Sequence, residues 1–168
     1  MTLPVHDVAV GTFALMLRNL SKFLDKAEAH ATNKGFDVAV LVGARLAPDM
    51  LPLSRQIQIA SDMAKGAAAR LSGTEIPVFE DTESTLAELR ERIEKTIRFV
   101  EGIDPAKFVG GEFRDITIQV RDRTFEFKGQ VYLATWALPN FYFHVTTAYN
   151  ILRHNGVDLG KRDFLGLV

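Results

Sequence analysis

The stretch PNFYFHVTTAYNILRHNG, from Pro139 to Gly156, decides the fold of this 168-residue chain. Apolar residues recur along it at helical spacing, and Asn155-Gly156 supplies a stop signal. At about 100° per residue, Asn140, His144 and Thr147 share one face, next to the face that the apolar residues bury. A neutral imidazole in that position has to satisfy two ring nitrogens, through a hydrogen bond, a metal ion or both.

Hydrophobic periodicity predicts four long helices in all. They cover about Val8 to Ala31, about Met50 to Leu71, the stretch from near Thr82–Thr85 to the break at Gly102, and about Gln130 to His154. Residues 115–127 alternate between apolar and polar side chains, which predicts a β-hairpin before the last helix. Residues 36–50 fit either a strand or a buried helical turn. Four amphipathic helices with one hairpin indicate an all-α helix bundle, in a single domain over residues 1–168.

Pro139 interrupts the pattern of the last helix because it has no amide hydrogen to donate. The helix is therefore expected either to kink there or to restart with Pro139 at its first position. Either outcome leaves an irregular, polar place beside Trp136, Asn140 and Tyr142, where a small ligand could bind.

Composition excludes several classes of function. Lys and Arg total 20 against 21 Asp and Glu, for a net charge of −1, and no basic face emerges for nucleic acid. No apolar run approaches the ~20 residues of a membrane helix, and MTLPVHDVAV does not resemble a signal peptide. We therefore expect a cytoplasmic protein with neither nucleic-acid nor membrane partners. The absence of cysteine excludes disulfides and thiolate chemistry.

Motifs for common catalytic sites are also absent. The sequence contains no GxSxG, no HExxH, no P-loop and no dinucleotide-binding fingerprint. Carboxylates are plentiful, but most fall in loops or on the outer face of the third long helix, so we interpret them as solvated surface. The last helix is left as the place where chemistry is most plausible.

HVTTAYNILRHNGV resembles the last-helix signature of the DinB/YfiT-like superfamily, through His144, Leu152-Arg153 and Gly156. The longer phrases ALPNFYFHVTTAYNILRHNG, GKRDFLG and RLAPDMLPLSRQIQIASD resemble one branch, known only as a domain of unknown function (DUF-1993 type). The resemblance implies an up-down-down-up four-helix bundle, often dimeric. It also implies a nickel or zinc ion on three histidines, one from the second long helix and an HxxxH pair from the last, and in some members a thiol-linked transferase activity.

The resemblance carries over only in part at the metal site. His144 matches the second histidine of HxxxH, whereas Asn140 stands at the first, and the second long helix contains no histidine. A neutral carboxamide is a weak ligand for zinc or nickel. Gln56 is the polar residue of that helix closest to its inner stripe, so Gln56, Asn140 and His144 could hydrogen-bond to one another or hold a small ligand.

Two hypotheses follow. The one we prefer is a non-catalytic or uncharacterised bundle that has lost the three-histidine site, needs no cofactor and binds a small ligand. The alternative is a nickel- or zinc-dependent transferase or hydrolase with His144 as a metal ligand. The predicted pocket residues are Gln56, Trp136, Asn140, Tyr142 and His144. A homodimer is expected from the resemblance and from surplus apolar positions, which are Met16, Phe23, Tyr142 and Phe143.

Overall fold

The structure is a computed structural model that describes residues 4–167, so residues 1–3 and 168 of the predicted domain lie outside the described residues. The helices are α1 (Val5–Lys34), α2 (Ala39–Val42), α3 (Leu53–Ser72), α4 (Leu86–Glu101), α5 (Gly129–Tyr132), α6 (Leu138–His154) and α7 (Lys161–Leu165). Strands β1 (Asp115–Val120) and β2 (Arg123–Lys128) form an antiparallel hairpin. The predicted helical fold, with a hairpin before the last long helix, is confirmed.

Contacts between distant residues define the directions of the four long helices. Between α1 and α6 the pairs are Phe13 with Phe141 and Phe23 with Tyr149. Between α1 and α4 they are Arg18 with Glu101 and Glu28 with Arg90. Between α3 and the α5–α6 stretch, Gln56 contacts His144 of α6, and Leu71 lies beside Gly129 of α5. Residue numbers rise together in the first interface and in opposite senses in the other two. The helices α1, α3, α4 and α6 therefore run up, down, down and up.

Helix α3 lies against all three other long helices, and its composition explains how. Ala60, Ala64, Ala67 and Ala68 are fully buried on it. Small side chains let helix axes approach closely, so larger residues of α1, α4 and α6 fill the space between. The resulting core joins apolar residues from all four long helices and from the hairpin.

Local signals set the ends of the central helices. Pro52 precedes α3 in an extended conformation, so this helix starts three residues after the predicted Met50. Thr85 and Glu88 form the predicted capping box, in which the Glu88 amide donates to Thr85 Oγ1 and the Thr85 amide donates to Glu88 Oε2. Residues 36–50 contain only the short helix α2, which resolves their ambiguity in favour of a helical turn.

Helix α6 begins at Leu138 and carries Pro139 in its first turn, close to the predicted restart of the helix at this proline. Helices α5 and α6 are joined by a π-helical turn, Leu133–Ala137, and the backbone is right-handed helical at both of its junctions. The Thr135 hydroxyl donates to Val131 O within this stretch. The irregular place predicted at Pro139 is thus a widened helical turn.

The C-terminal segment covers part of α1, including residues predicted to be surplus apolar positions at a dimer interface. Phe164 of α7 stacks on Phe23 and packs edge-on against Tyr149, and the Asn19 amide donates to Phe164 O. Met16 and Phe23 are consequently buried within the chain, so they are not surplus apolar surface. Within residues 4–167, no helix has both the length and the hydropathy to cross a membrane.

Candidate functional site

A buried glutamine and a half-buried histidine meet where α3 crosses α6. Gln56 is in the first turn of α3 and is 2 % exposed, and His144 is near the middle of α6. The two side chains meet between the helices, with Gln56 Oε1 2.8 Å from His144 Nδ1. This pair is the centre of the candidate site.

The hydrogen bonds of Gln56 assign the protons of His144. Gln56 Nε2 donates to Leu51 O at 3.0 Å, which turns Gln56 Oε1 toward the imidazole. A carbonyl oxygen only accepts, so Nδ1 carries the proton and Nε2 keeps a lone pair. Among the described residues, Nε2 has no hydrogen-bond partner. Burial lowers the pKa of His144, which favours this neutral form.

Asn140 is engaged elsewhere. Its Nδ2 donates to Trp136 O at 2.7 Å, a carbonyl inside the π-helical turn where regular helical hydrogen bonding is interrupted. The side chain therefore satisfies the backbone beside Pro139, which is a structural reason for an asparagine at this position. It forms no hydrogen bond with Gln56 or His144.

The two aromatic residues of the predicted pocket have different surroundings from His144. Trp136 packs against the hairpin, with ring centroids 5.1 Å from Phe125 and 5.6 Å from Phe127. Tyr142 is exposed, lies edge-on to Phe141, and has a pKa raised by partial burial. The structure thus brings together Gln56 and His144, while a binding role for Trp136 and Tyr142 stays a prediction.

The groups around His144 do not fit a three-histidine metal site. Its partner is a carboxamide, and the amides of Gln56 and Asn140 are hydrogen-bonded to backbone carbonyls. Zinc and nickel sites are usually built from several imidazoles, thiolates or carboxylates. Across residues 4–167, no group of three or more such side chains is placed to hold one ion.

A second polar centre surrounds Arg92 of α4, and sequence analysis missed it. The Arg92 side chain is 1 % exposed and contacts carboxylates from α3 and from the segment before α4. These contacts are with Asp62 at 2.9 Å, Asp81 at 2.9 Å and Glu83 at 3.0 Å, and Glu80 O accepts a further hydrogen bond at 3.0 Å. Glu83 is largely buried, whereas Asp62 and Asp81 each keep about a third of the side chain exposed. The interpretation as solvated surface therefore holds in part for Asp62 and Asp81 and fails for Glu83, which residues 74–85 bring back over α3.

The charges in this second centre compensate one another. Burial alone would raise the pKa of Asp81, but the hydrogen bond from Arg55 and the charges of Arg92 and Arg55 outweigh it and lower that pKa. Lys65 is also buried, and it contacts Asp62 and donates to Pro77 O. These contacts pin the segment before α4 to the bundle, so we assign the Arg92 centre a structural role.

Comparisons with known proteins agree with this architecture. A crystal structure of a DinB family member protein from Shewanella denitrificans matches 96 % of this chain and 92 % of its own, with 46 % identity and a TM-score of 0.91. No curated protein matches the chain. The model of the family described as domain of unknown function DUF1993 matches residues 5–165. The chain therefore belongs to the DUF1993 family, a branch with the DinB-like fold.

Proposed function

We propose that the protein binds a small polar molecule at His144 Nε2, and that it does so without a bound nickel or zinc ion. The observation that carries this proposal is the 2.8 Å contact between Gln56 Oε1 and His144 Nδ1. Gln56 is itself held by a hydrogen bond to Leu51 O. It therefore fixes the orientation of the imidazole through one ring nitrogen and leaves the other available, as in histidines that act in catalysis or bind metals. The ring is fixed, neutral and half-buried, and its lone pair faces no partner in the described chain.

The chemistry of Nε2 defines the class of ligand. An unprotonated imidazole nitrogen accepts hydrogen bonds, so it recognises a hydroxyl, an amide N–H or an ammonium group. The exposed Phe143 ring lies edge-on to His144, with centroids 5.2 Å apart, and offers apolar surface beside the acceptor. Phenol, which combines a donor with an aromatic ring, is therefore a suitable first probe.

Nuclear magnetic resonance of the full chain, with ¹⁵N-labelled histidine, tests the proposal directly. Long-range ¹H–¹⁵N spectra should show His144 protonated on Nδ1, and phenol should shift the His144 Nε2 resonance. His144→Phe should abolish phenol binding. His154→Phe is the matched control, because His154 is exposed at the end of α6 and its replacement should leave phenol binding unchanged.

Two results would overturn the proposal. One is an Nε2-protonated His144, since the acceptor would then be missing. The other comes from elemental analysis of protein purified without added metal. Stoichiometric nickel or zinc that disappears in His144→Ala would restore the metalloenzyme hypothesis, whereas we expect substoichiometric metal in both proteins.

We also propose that the protein forms a homodimer through α6. Tyr142 and Phe143 are adjacent, exposed aromatic residues on this helix, and exposed apolar patches often mark interfaces. Light scattering at micromolar concentration should give twice the chain mass of 18.7 kDa. A mass of one chain would contradict the proposal.

A further inference from the structure

We propose that a cavity at the start of α1, separate from the His144 site, binds a small amphipathic amine. Its volume is about 640 Å³, which is within the usual range for small-molecule sites. Three parts of the chain enclose it, namely residues 4–8 of the α1 start, residues 105–113 after α4, and residues 130–138 of the α5–α6 stretch.

The cavity walls are mostly apolar. Val8, Phe108 and Leu133 contribute to them, and Val109 and Phe113, which also line the cavity, are largely exposed to solvent. Exposed apolar side chains beside a concave apolar surface are typical of a ligand-binding groove. The apolar part of a ligand that fills the cavity would cover both side chains.

The π-helical turn contributes to the same cavity. Leu133 and Ala134 belong to this turn and line the cavity. A π-helical turn inserts extra backbone into a helix, is rarely favoured by local energetics, and occurs frequently at functional sites. Its position at this cavity, rather than beside His144, is an independent reason to examine the cavity for binding.

The polar groups of the cavity select the charge of the ligand. Among its lining residues in the described chain, Glu112 carries the one formal charge, and neither lysine nor arginine is present. His6 also lines the cavity, and its Nδ1 lies 2.9 Å from Oδ1 of the exposed Asp7. The Glu112 carboxylate favours an ammonium head group and disfavours an anionic one.

This cavity is distinct from the His144 site. Neither Gln56 nor His144 lines it. Leu138, its lining residue nearest to His144 in sequence, precedes that histidine by six positions, which is about 9 Å of helix rise. Occupancy of one site is therefore expected to be independent of the other.

Titration of the full chain with n-octylamine, octan-1-ol and octanoate tests the proposal. These probes share an eight-carbon chain and differ in head-group charge at neutral pH. Methyl resonances of Val8, Leu133 and Leu138 should shift with n-octylamine at the lowest concentration, then with octan-1-ol, and least with octanoate. Absence of any shift at these methyl groups, or tightest binding of octanoate, would overturn the proposal.

Two variants with matched controls identify the site. Glu112→Gln should weaken n-octylamine binding by up to about fivefold, the effect of one partly exposed ion pair, and leave octan-1-ol binding unchanged. Glu126→Gln on the exposed side of β2 should change neither. Ala134→Trp should fill the cavity and abolish binding of both probes, while Ala87→Trp on the exposed face of α4 should not.

The remaining outcomes are equally decisive. Far-ultraviolet circular dichroism tests whether Ala134→Trp is folded. If it is not folded, the Glu112→Gln comparison still tests the proposal. Unchanged n-octylamine affinity in Glu112→Gln would refute the amine assignment. His144→Phe should leave n-octylamine binding intact, and a loss there would show that the cavity is not a separate site.

Discussion

Two polar centres lie on opposite sides of α3, and they differ in how many groups pair with the central side chain and in how far water reaches it. Around Arg92, three carboxylates and one backbone carbonyl accept from the two terminal guanidinium nitrogens. Around His144, one side-chain contact, with Gln56, fixes one ring nitrogen and leaves the other open. Arg92 is fully enclosed, whereas His144 remains in contact with solvent.

The difference separates a stabilising role from a binding role. A charge removed from water has to be compensated inside the protein, and the Arg92 centre does this with groups from three segments of the chain. The terminal guanidinium nitrogens of Arg92 already have protein partners and are not available to a ligand. His144 is held in one orientation with an unused acceptor, which is the arrangement that a binding site requires.

Replacing Arg92 should have the largest effect. In Arg92→Met the volume is similar, but Asp62, Asp81 and Glu83 lose their shared cation and repel one another. The free energy of unfolding should fall by about 2 to 4 kcal/mol, less than the full cost of breaking a buried ion pair, because Asp62 and Asp81 stay partly solvated and keep their contacts to Lys65 and Arg55. Urea denaturation followed by circular dichroism measures it.

Arg98→Met provides the control for this substitution. Arg98 is on the same helix but exposed, so its replacement should change stability by less than about 0.5 kcal/mol. Similar losses for the two variants would contradict the assignment of Arg92 as a structural centre. Phenol binding at His144 should survive in Arg92→Met under conditions where that variant is folded.

The long helices could be predicted because their signals are local. Apolar periodicity, the Thr85–Glu88 capping box and the alternation in residues 115–127 each lie within one element. Residues 36–50 could not be resolved, since a short apolar run has the same pattern in a strand and in a helical turn. The resemblance in the last helix supplied the directions of the helices, which no local pattern contains.

The polar centres depend on contacts that sequence spacing does not reveal. Gln58 and Ser61 do not lie on the apolar stripe of α3 that carries Leu53, Ile57, Ala60 and Ala64, yet both are buried. The reason is the segment before α4, from which Glu83 accepts a hydrogen bond from Gln58 at 2.9 Å. Periodicity locates the face that meets other helices and gives no information on which loop covers another face. The Gln56–His144 pairing could be proposed because both lie near the interface of two predicted helices.

Replacing Gln56 tests the other centre. In Gln56→Leu, the Nδ1–H of His144 loses its acceptor inside the protein, and Leu51 O loses its donor. The free energy of unfolding should fall by about 1 to 3 kcal/mol. The proton of His144 should also redistribute from Nδ1 toward Nε2, which ¹⁵N spectra detect as a change of tautomer.

Gln56→Glu is the matched comparison for this variant. A carboxylate keeps an acceptor for Nδ1–H and adds a negative charge, so it should preserve the tautomer and raise the pKa of His144. If the tautomer in Gln56→Leu remains that of the unmodified protein, Gln56 does not orient the ring and the proposed function loses its main support.

The pH dependence of stability follows from the same histidine. Burial lowers the pKa of His144 below its ordinary value of 6.5, so the unfolded chain takes up the proton first as pH falls. The contribution of neutral His144 to the free energy of unfolding is therefore complete above pH 6.5. It is lost as the pH decreases from 6.5 to the pKa of His144 in the folded protein, and it does not change further below that pKa. The loss should not exceed about 1 kcal/mol, because solvent still screens the half-buried ring.

Urea denaturation at a series of pH values, compared between the unmodified protein and His144→Gln, isolates this contribution. Glutamine does not titrate, so the difference between the two proteins should rise with pH across the stated window. A difference that is constant, or that falls as pH rises, would mean that His144 is not desolvated in the folded protein.

Replacing Ser61 should give the smallest change in the free energy of unfolding, and it tests whether an unpaired polar atom alone indicates a binding site. Its Oγ is fully buried on α3 and has no hydrogen-bond partner within the described chain. It resembles His144 Nε2 in lacking a partner, but no ligand can reach it without opening the core. We therefore expect Ser61→Ala to raise the free energy of unfolding by about 0.5 kcal/mol, since alanine removes an unsatisfied hydroxyl and favours the helix. It should leave phenol binding unchanged.

A loss of stability in Ser61→Ala would indicate that the hydroxyl is paired, for example with a buried water molecule. The contrast with His144 would then rest on solvent access alone.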